Sequence, residues 1–151
     1  MIGLERKEDN DLFFVCSLIE YIGRKTKNHR SVVVNAIGKD KLQHLYELAD
    51  VYHSDNIDRV SDELIDNYHI KEGSFDNVTD SKYSVPTHWD IGKVYKRLIV
   101  DICVKQDKKP IDTLIEVYNS WLSRKIEDFN SSLYYENPGY LYESYVAGDV
   151  L

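Results

Sequence analysis

Apolar residues recur at helical spacing from the start of the chain. Leu12, Val15, Cys16, Ile19 and Ile22 share one face over residues 10–27, with Asp9 or Asn10 placed to cap the start. Phe13, Phe14, Leu18 and Tyr21 widen that face, so this helix is predicted to be buried on most sides. The β-branched run in "SVVVNAIG" has strand character, but Ser31 can cap, Gly38 can terminate, and a lone strand has no partner here. A short helix is the better reading. Leu42, Leu45, Tyr46, Leu48 and Ala49 give the inner side of a third helix from Asp40. After the turn "VYHSDN", Ile57, Val60, Leu64, Ile65 and Tyr68 define a fourth, so residues 1–70 read as a four-helix unit.

No period survives in "KEGSFDNVTDSKYSVP", where Gly, Asp, Asn, Ser and Pro accumulate, and residues 71–85 read as a linker or surface loop. Thr87 and Asp90 restart the pattern at capping-box spacing, with Asp in place of the usual Glu or Gln. Ile91, Val94, Tyr95, Leu98, Ile99 and Ile102 follow on one face, the clearest amphipathic signal in the chain. Pro110 suits a first helical turn, and Ile111, Leu114, Ile115, Tyr118, Leu122, Ile126 and Phe129 predict one further helix, antiparallel to its predecessor. Pro138 and Gly148 bracket a last short helix in the tyrosine-rich end. The prediction is all-α: a compact bundle of six to seven helices, either one domain over residues 1–151 or two subdomains, 1–70 and 86–151.

Composition adds three constraints. Twelve Tyr against four Phe and two Trp supply large apolar rings with polar tips, which suit half-buried positions and contact surfaces. A net charge of −7 argues against general nucleic-acid binding, because an acidic chain repels phosphate. The one basic patch, "RKTKNHR" at 24–30, reads first as a cationic helix end that complements the helix dipole, and second as a phosphate contact. Cys16 and Cys103 lie inside apolar helical patterns without a spacing motif, so they read as small hydrophobes. The start, "MIGLERKEDN", lacks an apolar signal region, and no apolar run approaches the roughly 20 residues of a membrane span. A cytoplasmic protein without membrane contact is expected.

Chemistry is sparse. The stretch "ADVYHSDNIDRVSDELIDNYHI" gathers His53, Asp55, Asp58 and Asp62, residue types that bind metals. It has no pair of His at i, i+4 and no HExxH, and helix capping by Ser54, Asp55 or Asn56 explains more of it. Arg24 precedes His29 at a spacing close to that of some helical RNases, with Lys25 departing from their pattern. His88, Trp89 and Asp90 head a helix, where the Trp reads as a hydrophobic staple. No GxSxG, no Cys with a His nearby and no glycine-rich phosphate loop is present. No catalytic residue, metal ligand or cofactor is assigned.

The segment "FFVCSLIEYIGRK", followed by "ADVYHSDNIDRVSDELIDNY", resembles a small family of bacterial helical domains of unknown function. Its pattern of an apolar helix ending in Ile-Glu, a turn with Asp-Val-x-His and an acidic pair falls here on Ile19 and Glu20, Asp50, Val51 and His53, and Asp62 and Glu63. Ala49 stands where an aromatic is common, and Tyr52 where Leu is common. The match spans residues 12–70. Such domains often occur in compact gene clusters, some beside ADP-ribosyltransferase-like proteins, so the resemblance implies an accessory or antitoxin-like role and assigns no catalytic residue.

The expected function is a non-catalytic interaction module that binds a partner protein or itself. Two surfaces are singled out: the turn-helix with Tyr52, His53, Asp55, Arg59 and Asp62, and the tyrosine cluster Tyr134, Tyr135, Tyr140, Tyr142 and Tyr145. The alternative is a small metal-dependent or nuclease-like hydrolase using His29 or His53.

Overall fold

The structure, a computed structural model, describes residues 6–150. Over that span the chain is helical without strands, as its periodicity requires. The first half forms α1 (Lys7–Thr26), α2 (Arg30–Ile37), α3 (Lys39–Glu47), α4 (Ala49–His53) and α5 (Ile57–Asn67). The second forms α6 (His88–Gln106), α7 (Pro110–Tyr118), α8 (Trp121–Glu127) and α9 (Pro138–Ala147), with one 3-10 turn at Leu133–Tyr135.

Nine α-helices among the described residues exceed the expected six to seven because two predicted helices are each divided. The third breaks at Leu48, whose backbone caps both α3 and α4. Val51–His53 are therefore helical, and the expected turn shrinks to residues 54–56. The helix predicted from Ile111 to Phe129 breaks at Asn119 and Ser120. There Ser120 Oγ donates to Val117 O at 2.6 Å, and Asn119 Nδ2 donates to Ile115 O and to Asn35 Oδ1. Side chains of these two types compete with the helix for its own backbone. The first helix also begins earlier than predicted: Arg6 occupies the N-cap position without a side-chain bond, and Asp9 lies in the first turn.

Other local signals are realised. Asn56 Oδ1 accepts from Asp58 N at 2.8 Å and starts α5. Thr87 and Asp90 form a complete capping box on α6. Pro110 and Pro138 open their helices, and Gly148, at φ 80°, closes α9 in the left-handed conformation that favours glycine.

α1 is the hub. Leu12, Val15, Cys16, Leu18, Ile19 and Ile22 are each at most 2% exposed, and the helix lies along α6. α2, α3 and α7 close round the pair, while α9 docks on α6 through Leu141. The apolar core runs unbroken from Leu12 to Leu141 and draws on both sides of the long loop. That loop is tied to the end of α1: Gly73 N and Phe75 N donate to Thr26 O and Lys27 O, and Asn28 Nδ2 donates to Lys71 O.

Candidate functional site

Two groups of polar and aromatic side chains stand out from this frame. The first is buried. Glu20 of α1 accepts from Arg30 Nε and from Tyr118 Oη, each at 3.1 Å, and Arg30 is 0% exposed. Tyr118 stacks on Tyr95 with ring centroids 4.0 Å apart, and Tyr95 Oη lies 2.8 Å from Ser123 Oγ. Ser123 in turn donates to Glu127, whose other carboxylate oxygen lies 2.6 Å from His29 Nδ1. Burial pushes the Glu20 carboxyl up, with Arg30 opposing, and holds both phenols well above their usual range. Such a chain of paired groups fixes how α1, α2, α6, α7 and α8 register on one another. It reaches the surface at His29, which stacks on Phe75.

The second group is open. Phe14 and His53 rings lie 5.5 Å apart, His53 and Trp89 6.4 Å, and Trp89 and Phe13 5.7 Å. These rings wall a cavity of about 570 Å³ between α1, α4 and the start of α6. Asp11, Asp50 and Lys7 edge it, with the Lys7 ammonium 2.7 Å from Asp11 and 3.4 Å from Asp50. The row continues past the cavity: Trp89 meets His88, His88 meets Tyr21 edge-on at 4.9 Å, and the Tyr21 hydroxyl donates to Asp58 on α5. Asp58, Asp62, Glu63 and Asp66 then line the exposed flank of α5. An aromatic strip and an acidic helix thus form one surface.

The residues singled out in sequence are only partly brought together. His53 enters the aromatic row, whereas Tyr52 turns to α3, where Lys41 Nζ lies 3.3 Å from its hydroxyl. Asp55 accepts from Asn56 N, Arg59 bridges Asp55 and Glu63, and Asp62 pairs with Lys25 at 2.7 Å. His53, Asp55, Asp58 and Asp62 do not converge, and among the described residues no three His, Cys, Asp or Glu side chains are grouped to hold a metal ion. In the basic stretch, Arg30 is fully buried, Lys25 and Lys27 pair with α5 and Glu72, and Arg24 donates to Pro86 O over the Phe129 ring. In the tail, Tyr134, Tyr142 and Tyr145 pack on the core, Tyr140 is half-buried and Tyr135 is 67% exposed. Tyr142 sits under Lys105 at the far end of α6.

Sequence reasoning read Trp89 as a staple and Phe13 as part of a buried helix face, and it did not pair Glu20 with Arg30. Trp89 does not staple the chain entry of its own helix; its ring crosses to α1 and α4. The usable signal was Phe13 beside Phe14: neighbouring helical positions lie about 100° apart, so with Phe14 buried Phe13 falls at the edge of the apolar face, half-buried.

His88 yields a pH prediction. Its Nε2 is buried without a hydrogen-bond partner, and burial, with Arg24 adding, holds its pKa below the ordinary 6.5. A base depressed in the folded state leaves stability intact above pH 6.5 and removes it as pH falls below, because the unfolded chain takes the proton more readily. Urea midpoints measured at pH 7.5 and about 5.5 are expected to drop less for His88→Phe than for the natural chain. An equal drop contradicts this.

The fold and this surface define a helical domain with an aromatic, acid-flanked face. No protein-family model, curated protein or solved structure matches the chain.

Proposed function

We propose that this chain is a non-catalytic helical binding module whose partner is a protein with a basic surface. The observation that carries the reading is the continuity of the solvent-facing aromatic row at His53 and Trp89 with the acidic flank of α5. Aromatic anchors beside charge are what protein interfaces use, and an acidic face speeds encounter with basic partners and repels acidic ones. A second copy of this chain fits less well, because a two-fold contact would set acid against acid. The resemblance of residues 12–70 adds support for an accessory, antitoxin-like role, since that segment supplies α1, α4 and α5.

Charge reversal tests the reading. Asp62→Lys, Glu63→Lys and Asp66→Lys together are expected to cut partner capture from host lysate at least tenfold at low salt, with helicity unchanged by circular dichroism. Undiminished capture of the same partner by the reversed chain contradicts it.

A hydrolase reading has one observation of its own: Glu127 holds Nδ1 of the half-exposed His29, the arrangement in which a carboxylate orients a general base. It requires a hydrolytic activity that His29→Ala abolishes. The binding reading requires no turnover and unchanged partner capture in that variant.

A further inference from the structure

We propose that the cavity between α1, α4 and the start of α6 receives the side chain of a lysine presented by the partner protein, and that Lys7 holds the acid pair in its place until then. The proposal rests on the reading of this face as the binding surface and specifies its chemistry. At about 570 Å³ the cavity lies within the roughly 300–1,000 Å³ of small-ligand sites, ample for one long side chain. Its walls are the rings of Phe13, Phe14, His53 and Trp89, an apolar surround for a four-carbon stem. Aromatic faces also attract an ammonium held within about 6 Å of a ring centroid. Its edge carries Asp11, buried, and Asp50, exposed.

The strongest indication of ligand type comes from the chain itself. The group resting between Asp11 and Asp50 is an ammonium, that of Lys7, and its side chain is 60% exposed. It reaches the acid pair from solvent: its contact with exposed Asp50 is of the weak, screened kind, and its contact with buried Asp11 is the one an incoming lysine has to displace. The incoming group has an advantage that Lys7 lacks: it arrives on a partner whose other basic groups face Asp58, Asp62, Glu63 and Asp66 of the same surface. An anionic or purely apolar occupant would leave the acid pair opposed or ignored.

The test uses the full chain carrying Trp121→Phe, which leaves Trp89 as the sole tryptophan and places the reporter in the cavity wall. Its fluorescence is followed on titration with acetyl-Gly-Lys-Gly-amide and with the same peptide carrying norleucine or arginine. A saturable change with the lysine peptide and none with norleucine is expected. Lys7→Met should tighten lysine-peptide binding about two- to fivefold by removing the internal competitor. Asp50→Asn, at an exposed position, should weaken it at least twofold. Equal response to norleucine, tighter binding of arginine, no saturable change, or weaker binding after Lys7→Met overturns the proposal. The two readings separate cleanly. Peptide binding without any effect of α5 charge reversal on partner capture sinks the functional reading alone. Charge-sensitive capture without peptide binding sinks the lysine pocket alone.

Discussion

Replacing Arg30 by methionine is expected to cost about 3–5 kcal/mol of stability. The guanidinium is fully buried, donates to Glu20 and to Asn28 O, and carries one further nitrogen, Nη2, with no partner. Without it, Glu20 is a carboxyl 1% exposed with only the Tyr118 hydroxyl to hold it, and it must either stay charged unpaired or take up a proton to fold. A buried charge stripped of its counter-charge is far costlier than a pair removed whole. Glu20→Met combined with Arg30→Met should therefore regain most of the loss. Urea unfolding of both single variants and the double gives the coupling directly. A double variant as unstable as the sum of the singles would mean that the pair does not act as a unit.

Gly92→Ala is the second large effect, expected to destabilise by about 2 kcal/mol net. The added Cβ would meet Ser17 Oγ and stand 2.9 Å from both Cα and N of Ser17, which belong to the backbone of α1. Backbone cannot rotate away, so α1 and α6 must part along their contact. Overpacking of this kind costs about 1–3 kcal/mol, at the upper end where backbone is met. Helix propensity returns up to about 1 kcal/mol. Adding Ser17→Ala removes the hydroxyl but neither backbone contact, so rescue should be partial. Full rescue in thermal or urea unfolding would place the clash on the side chain alone. Ser17→Ala by itself should be neutral or stabilising, because its hydroxyl is buried without a partner.

Much of the fold was legible because helix spacing depends on near neighbours. Ile91, Tyr95, Leu98, Ile99 and Ile102 read as one face and are all buried, and the Thr87–Asp90 box sits where its spacing put it. The breaks at Leu48 and at Asn119–Ser120 were not legible. Apolar positions such as Leu45 and Ala49, or Tyr118 and Leu122, stay on the inner side through each break, so the period does not record it. The site was legible in proportion to how local it is. His53 and the acidic α5 come from one continuous stretch, and both lie on the surface argued for. Trp89 reaches that surface across more than thirty residues of chain from His53, and Arg30 meets Glu20 only after α1 has turned into α2. Tyr95 and Tyr118 are buried as their helical spacing predicted, and what the sequence did not show is that Ser123 and Glu20 give their hydroxyls partners there.

The most direct measurement for the binding face is photo-crosslinking in the cells that carry this protein. p-Benzoylphenylalanine would replace His53 in the aromatic row and, in a separate chain, Tyr142, which docks roughly 25 Å away along α6 at about 1.5 Å per residue. Adducts from position 53 to a lysine-bearing, basic segment of another protein, with few or none from position 142, are the expected result. Adducts formed from position 142 alone would contradict the account and move the interface to the tyrosine-rich tail.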